Sequence, residues 1–316
     1  MKKVSMIIPC YNEENNVELF YKEAVKTYKE QNYKLELVFI DDGSKDNTLK
    51  NLKELTKEQD CEIKVLSFSR NFGKESAIYA GLKNTTGDYT VIIDADLQQP
   101  PELTIKMANI LDENKYDCVC YYQEERIENK LLSKIKNTFY KTMNKMSEVE
   151  LKQGASDFRM FNNKVKNSLL EIKEYYRFSK GIFSWIGYDT KYLPYIPKQR
   201  NSGTTKWSFI KLLKYGISGI ISFSTMPLKL ATYSGLTLSL VAFIYLFIII
   251  IQKLFFEISI PGYPTVVSCI LLIGGFQLFC IGIIGEYLGK TYIETKNRPI
   301  YIIKEEITND KTKKSI

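Results

Sequence analysis

The fold is decided by the stretch Tyr89-Thr90-Val91-Ile92-Ile93-Asp94-Ala95-Asp96-Leu97-Gln98-Gln99-Pro100-Pro101. Its opening residues are β-branched or aromatic, which predicts a central strand buried on both faces. Asp94 and Asp96 follow at the point where that strand ends. Because alternate residues of an extended chain point the same way, both carboxylates can face one ion, and hard oxygen ligands suit Mg²⁺ or Mn²⁺. The alternative is a solvated, Asp-rich turn.

The same strand-to-helix order recurs in the part of the chain that precedes this stretch. Strands are predicted at residues 4–9, 35–40 and 63–68, and helices at 15–29 and 76–83. Alternating strands and helices predict an α/β fold with a mainly parallel sheet. Ligands bind beyond the carboxyl ends of such strands, so polar residues gathered there predict a nucleotide-binding cleft. The residues expected along this rim are Tyr11, Glu13, Asp41, Asp42, Arg70, Lys74, Asp94 and Asp96.

The composition excludes several kinds of active site. The chain has 316 residues and no histidine, which removes the usual imidazole base, every histidine metal ligand and any Ser-His-Asp triad. Its 6 cysteines are scattered without a CxxC pair, which argues against a zinc site and a disulfide framework. Neither GxGxxG nor GxxxxGKS/T occurs, so the common phosphate-binding loops are lacking. Acid, base and metal chemistry therefore falls to carboxylates.

Two uncharged, apolar segments dominate the second half of the sequence, at residues 230–252 and 258–285. Each is long enough for a helix that crosses a hydrocarbon core, which needs about 20 residues. The Pro-Gly-Tyr-Pro sequence at 261–264 predicts that the second helix begins near Thr265. The alternative is a pair of buried core helices. The N-terminus enters a strand at once, so no secretory signal is predicted.

Charge is distributed unevenly along the chain, whose net charge is +8. Residues 190–256 contain no acidic residue, and basic residues are frequent in the part of this region that precedes the first apolar segment. This pattern predicts a surface for anionic lipid, or simple positive-inside topology, and the two are compatible. Both termini are expected in the cytoplasm, with the chain crossing the cell membrane twice.

Three motifs resemble those of family 2 inverting glycosyltransferases of the GT-A fold: Ile8-Pro9-Cys10-Tyr11-Asn12-Glu13-Glu14, Asp41-Asp42-Gly43-Ser44 and Asp94-Ala95-Asp96. The resemblance implies that Asp42 contacts the base and that a divalent cation, Mg²⁺ or Mn²⁺, holds the diphosphate. The metal ligands it implies are Asp94, Asp96 and Gln98. The nucleotide-sugar-binding residues it implies are Pro9, Tyr11, Glu13, Asp41, Asp42, Lys74, Asp94 and Ala95.

The second half resembles the polyprenyl-phosphate glycosyltransferases, the relatives of bactoprenol glucosyltransferase and dolichol-phosphate mannose synthase. The resemblance lies in residues 154–159, 176–181, 200–207, 223–228, 274–277, 282–289 and 298–301. It implies a cytoplasmic GT-A catalytic domain at 1–205, amphipathic juxtamembrane helices at 206–229, two transmembrane helices at 230–289 and a cytoplasmic tail at 290–316. Gln123 and Ser156 depart from the pattern, because many relatives have Arg and Gly there.

The activity that this resemblance implies is transfer of a hexose, with inversion, from a nucleotide sugar to polyprenyl (undecaprenyl) phosphate at the cytoplasmic membrane face. The product would be a lipid-linked monosaccharide for cell-envelope glycosylation. UDP-glucose is the expected donor, and UDP-galactose, UDP-GlcNAc and GDP-mannose remain open. The lipid bilayer is an expected partner, a homo-oligomer (a tetramer) is implied by the resemblance, and no nucleic-acid partner is expected.

Catalytic and acceptor-binding candidates come from the same blocks. Asp157 lies between hydrophobic residues, a context that tends to position a charged group, and is the candidate base; the alternative is an Asp157–Arg159 pair that holds a turn. Guanidinium groups bind phosphate oxygens in bidentate fashion. The catalytic candidates are Asp157, Asp96 and Arg126. The candidates for binding the acceptor phosphate are Arg126, Arg177, Arg200 and Lys206.

Two rival functions are weighed against this one. A processive or protein-directed family 2 transferase is disfavoured, because the QxxRW block of polymerising relatives is absent and two spans cannot form their channel. The other rival is a non-catalytic, nucleotide-sugar-binding membrane scaffold. Product formation from purified protein, lipid phosphate and donor distinguishes these possibilities.

Overall fold

A computed structural model describes residues 1–123, 152, 155–196, 224–256 and 262–309. The strands are β1 Lys2–Cys10, β2 Tyr33–Asp41, β3 Glu62–Phe68, β4 Tyr89–Ile92, β5 Cys118–Gln123, β6 Ala155–Asn162, β7 Thr190–Tyr195 and β8 Ile303–Thr308. The helices are α1 Val17–Tyr28, α2 Thr48–Leu55, α3 Lys74–Asn84, α4 Glu102–Asp112, α5 Asn163–Glu171, α6 Ser179–Trp185, α7 Met226–Phe256 and α8 Tyr263–Thr295.

All these strands form one 8-stranded sheet in the order β7-β5-β6-β4-β1-β2-β3-β8. β1 pairs in parallel with β2 and β4, and β2 pairs in parallel with β3. β6 runs antiparallel between β4 and β5, and β8 runs antiparallel to β3. The helical crossovers between β1 and β4 account for the parallel half, because a parallel connection must return the chain to the same end of the sheet.

Helices cover both faces of the sheet, so most residues of its central strands are buried. β4 is buried at every position, which confirms the predicted central strand. One hydrophobic cluster includes residues of α1, α2 and α4, and a second includes residues of α3, α5 and α6. α3 packs closely on β1, since a Cβ added at Gly81 would lie 2.3 Å from Ile7 Cγ2. This close packing holds α3 against β1, and α3 begins at Lys74.

The tail returns to the sheet after α8, which the sequence did not predict. β8 pairs with β3, and the backbone N–H of Ser69 donates to the Ile302 carbonyl at 3.0 Å. The ring of Tyr301 stacks on that of Phe68 with centroids 5.1 Å apart. The region expected as a cytoplasmic tail, residues 290–316, therefore contributes a strand at one edge of the sheet. β8 was missed because its sequence, IKEEIT, lacks the alternation of a half-buried strand.

α7 and α8 are long and apolar enough to cross a membrane over Met226–Ile249 and Ser268–Thr295, and 0% of either apolar window is buried inside the protein. This exposure excludes the alternative of buried core helices. α8 begins at Tyr263 rather than near Thr265, because a proline is tolerated in the first helical turn, where its missing N–H needs no partner. α7 and α8 therefore have the length, composition and exposure typical of membrane-spanning helices.

Candidate active site

The parallel strands end at one edge of the sheet, and the predicted polar rim lies there. Asp41 is the last residue of β2 and is buried; its carboxylate accepts from Ser67 Oγ at 2.8 Å and from the Ser44 N–H at 3.0 Å. The Asp42 N–H donates to the Cys10 carbonyl at 2.9 Å, which ties the ends of β1 and β2 together. The buried Asp41 carboxylate therefore links the end of β2 to β3 and to the loop that follows β2.

Asp42 holds the loop that leads into α3. Its carboxylate accepts from the backbone N–H groups of Phe72 at 2.6 Å and Gly73 at 2.9 Å. Gly73 has a φ of 96°, a conformation that glycine adopts without strain. Burial raises the pKa of Asp42, and the two amide donors offset only part of this rise. The residue that the resemblance assigns to the base therefore also fixes the backbone before Lys74.

The first motif lies against the loop that follows β2. The Asn12 N–H donates to Ser44 Oγ at 3.0 Å, and the Glu13 N–H donates to Thr48 Oγ1 at 2.8 Å. Glu13 also accepts from the Asn16 side chain at 2.6 Å, while Tyr11 is 37% exposed. The structure thus brings together the loops that carry the first two motifs. Of the other predicted residues, Pro9 lies within β1 and Ala95 is buried just after β4.

Lys74 links two carboxylates that are far apart in the sequence. Its Nζ lies 2.6 Å from Asp94 Oδ1 and 3.3 Å from Asp157 Oδ2. β4 and β6 pair antiparallel with Ile92 opposite Arg159, and Asp94 and Asp157 each lie two residues from this pair. Three predicted site residues, from α3, the end of β4 and β6, therefore meet at one point.

The charges in this cluster determine the protonation states of Asp157 and Lys74. Burial raises the pKa of Asp157, but the nearby cations Lys74, Lys180 and Arg159 outweigh it and leave the pKa below its ordinary value. Burial lowers the pKa of Lys74, but Asp94 and Asp157 raise it well above its ordinary value. Asp157 is therefore an ionised, paired carboxylate and a weak base.

The turn after Asp94 places Gln99 against Asp94, a contact that was not predicted. Leu97 has a φ of 58°, which reverses the chain and ends the alternation of the strand. Gln99, which is buried, accepts from the Asp94 N–H through Oε1 at 3.0 Å. Gln98 contacts Asp96 through its backbone N–H, which donates to Asp96 Oδ1 at 3.1 Å. The resemblance named Gln98 alone, and the contact of Gln99 with Asp94 depends on the turn at Leu97.

The donor set fits a divalent cation that shares ligands with a substrate. Within the described ranges no group of three or more His, Cys, Asp or Glu residues could hold a metal ion alone. Asp94, whose side chain is 35% exposed, and Asp96 supply hard carboxylate oxygens. Mg²⁺ is commonly held by one or two carboxylates together with substrate phosphates. The set therefore suits a cation that arrives with a diphosphate.

Two arginines singled out from the sequence are buried on aromatic rings. The Arg177 guanidinium lies 4.5 Å from the centroid of Tyr79 and donates to the Ile172 carbonyl, and burial lowers its pKa. Arg159 lies over Phe183 and donates to the Ser156 carbonyl at 2.9 Å. Among the described residues Asp157 forms its ion pair with Lys74 and none with Arg159, although the Arg159 charge helps to lower the pKa of Asp157.

Glu75 joins α3 to α6 and was not predicted. Its carboxylate accepts from the backbone N–H of Ser179 at 3.1 Å and from the Ser179 hydroxyl. Burial raises the pKa of Glu75, and the Asp157 charge raises it further. Nothing in the sequence marked this contact, because it joins residues 104 positions apart. Arg126, Arg200 and Lys206 lie outside the described residues, as do most of the basic residues before α7.

Comparison with known proteins identifies the family. The model of glycosyl transferase family 2 matches residues 5–170, which include all three loop motifs and Asp157. The chain belongs to glycosyl transferase family 2. A second model, the GtrB C-terminal hairpin, matches residues 226–291, the region of α7 and α8. This family 2 chain is therefore a glycosyltransferase, and the expected GT-A fold class is confirmed.

Relatives of this glycosyltransferase match it from end to end. A glycosyltransferase homologue from Bacillus subtilis (strain 168) is 43% identical over 303 residues, which cover 96% of this chain and 91% of the relative. The prophage bactoprenol glucosyl transferase homolog of Escherichia coli (strain K12) is 39% identical over 96% of this chain and 98% of its own length. The bactoprenol glucosyl transferase of Shigella phage SfX is 38% identical, with coverages of 96% and 99%.

Proposed function

We propose that this enzyme transfers glucose from UDP-glucose to undecaprenyl phosphate, with inversion at the anomeric carbon, on the cytoplasmic face of the membrane. The observation that carries the proposal is that one chain combines an acidic sheet edge, suited to a nucleotide and its cation, with two helices long enough to cross a membrane. Its sequence matches bactoprenol glucosyl transferases over 96% of its length. The glucosyl lipid would serve cell-envelope glycosylation.

In the donor site, Tyr11, Glu13, Asp41 and Asp42 would surround the nucleoside. Asp94 and Asp96, with Gln98 as a further candidate ligand, would hold Mg²⁺ or Mn²⁺ against the diphosphate. The cation, when bound, supplies Lewis-acid stabilisation of the negative charge on the leaving diphosphate. Lys74 adds a second positive charge beside it, and Asp42 keeps the loop before Lys74 in place.

Transfer then needs a single displacement. An oxygen of the acceptor phosphate forms the bond to the anomeric carbon as the bond to the diphosphate breaks, which releases UDP and inverts the configuration. The acceptor oxygen is already anionic, so no strong base is required. Asp157 has a lowered pKa and an ion pair with Lys74, which suits a role in positioning rather than in proton removal.

The acceptor phosphate would be held by Arg126, Arg200 and Lys206, and we keep Arg177 as a weaker candidate because its side chain is buried on Tyr79. α7 and α8 would form a transmembrane hairpin within 230–289, preceded by juxtamembrane helices at 206–229. The pairing of β8 with β3 supports a topology with the catalytic domain and the tail on one side of the membrane, which we propose is the cytoplasm.

A donor panel tests this proposal. Purified full-length protein would be incubated with undecaprenyl phosphate, Mn²⁺ and labelled UDP-glucose, UDP-galactose, UDP-GlcNAc or GDP-mannose. Label in the lipid fraction with UDP-glucose alone is the expected result. Transfer from another donor would support the proposed type of reaction and would show that the transferred sugar is not glucose. Binding of UDP without transfer from any donor would favour the non-catalytic scaffold.

A further inference from the structure

The Lys74 ammonium forms an ion pair with Asp94, a carboxylate that the proposed donor site needs as a ligand for its cation. Lys74 Nζ lies 2.6 Å from Asp94 Oδ1 and also contacts Asp157 Oδ2 at 3.3 Å. An ammonium and a divalent cation are attracted to the same oxygen by the same negative charge. They therefore compete for Asp94 unless the lysine moves.

The surroundings of Lys74 leave it room to move. Its side chain is 41% exposed, and it lies at the first residue of α3, outside the hydrophobic clusters. The flexible four-carbon stem of lysine allows its charge to turn between neighbouring anions. Asp157 remains as a partner when Asp94 is taken.

We infer that Lys74 is a positioning residue that neutralises Asp94 in the substrate-free enzyme and releases it when a divalent cation arrives with a nucleoside diphosphate. The ammonium then turns toward Asp157 and the incoming diphosphate. This inference deepens the proposed function and rests on its donor site.

The exchange has a thermodynamic consequence. In the absence of nucleotide, the displaced Lys74 keeps only Asp157 as a partner, so the cation binds weakly. With UDP present, the displaced ammonium gains the diphosphate as a partner, so cation and nucleotide bind cooperatively. Such coupling is reciprocal, and each ligand strengthens the binding of the other by the same factor.

The test is a Mn²⁺ titration of the full-length protein by electron paramagnetic resonance, with and without UDP. The variants are Lys74→Met, which removes the charge, and Lys74→Arg, which keeps it. Lys180→Met is the charge-matched control, since Lys180 lies near Asp157 and forms no ion pair with Asp94 among the described contacts. Partly exposed ion pairs contribute about 1 kcal/mol, which corresponds to roughly fivefold in affinity.

Without UDP, we expect Lys74→Met to bind Mn²⁺ about fivefold more tightly than the wild type does. The factor by which UDP strengthens Mn²⁺ binding should be about fivefold smaller in this variant than in the wild type. Lys74→Arg should stay close to the wild type. Unchanged or weaker Mn²⁺ binding by Lys74→Met overturns the inference, as does an equal effect in Lys180→Met. If no variant binds Mn²⁺ even with UDP, the proposed donor site fails and the inference fails with it.

Discussion

Asp42 offers a prediction that separates a role in binding the base from a role in holding the loop. In Asp42→Ala, the backbone N–H groups of Phe72 and Gly73 lose the acceptor that they contact at 2.6 and 2.9 Å. The variant should unfold at a lower temperature and bind UDP more weakly, because the segment that leads into Lys74 loses its support. A role confined to the base would weaken UDP binding without affecting stability.

The size of the stability effect follows from these contacts. Each buried donor left without an acceptor costs about 1–3 kcal/mol. Removal of the buried carboxylate recovers part of this, since burial raises its pKa and therefore disfavours its charged form. We expect a net loss of about 2 kcal/mol, which lowers the unfolding temperature of a domain of this size by roughly 4–8 °C.

The assay is differential scanning fluorimetry of the purified protein, with UDP binding measured by calorimetry in Mn²⁺. Asp42→Asn keeps one acceptor oxygen and should show an intermediate loss. Asp88→Ala is a matched control, because this exposed carboxylate also accepts one backbone N–H, from Lys3 at 2.8 Å, at the opposite end of the sheet. An unchanged unfolding temperature in Asp42→Ala would refute the loop-holding role.

Three further predictions concern the donor edge and the membrane hairpin. Asp94→Asn and Asp96→Asn should each lower kcat/KM at least about 100-fold, as should EDTA, with little change in unfolding temperature; full activity in chelator would exclude the metal role. Asp157 has a lowered pKa, so its stabilising effect is present above its ordinary pKa and is lost as pH falls through the folded value. In Asp157→Asn, this loss of stability at acid pH should therefore be absent when unfolding is measured at a series of pH values. The dependence of the reaction rate on pH should keep its shape above about pH 5. Glu294 at the end of α8 accepts from the Tyr175 N–H at 2.9 Å, which links the membrane hairpin to the segment between α5 and α6. Because this link would position the hairpin that presents the lipid acceptor, Glu294→Ala should raise the KM for long-chain polyprenyl phosphate and spare UDP affinity. Weaker UDP binding with an unchanged acceptor KM would contradict this role.

The sequence predicted the parallel half of the sheet because its signals are local. An apolar strand followed at once by polar residues marks Asp41, Asp42, Asp94 and Asp96, and the rule that parallel strands share a carboxyl edge brings them together. Exposure of α7 and α8 likewise agrees with their uninterrupted apolar composition. These elements depend on residues that are neighbours in the chain.

The contacts that the sequence could not predict join distant segments. The Lys74–Asp157 ion pair depends on the antiparallel register of β4 and β6, which no local pattern encodes. β8 joins β3 across more than half of the chain, and its charged side chains pair with Lys53 and Lys64 at 2.7 Å. A truncation before α7 would therefore also remove a strand of the sheet. A cleaner test of the hairpin is to delete residues 226–295 and retain β8 through a linker.

The most direct test of the central claim is the structure of the lipid product. Full-length protein would be incubated with undecaprenyl phosphate, Mn²⁺ and UDP-glucose, and the lipid extract would be analysed by mass spectrometry and by NMR of the anomeric proton. We predict undecaprenyl phosphate carrying one β-linked glucose, formed by the wild type and lost in Asp94→Asn. An α-linked product would contradict the single displacement, and the absence of any glycosyl lipid despite UDP and Mn²⁺ binding would contradict the proposed activity.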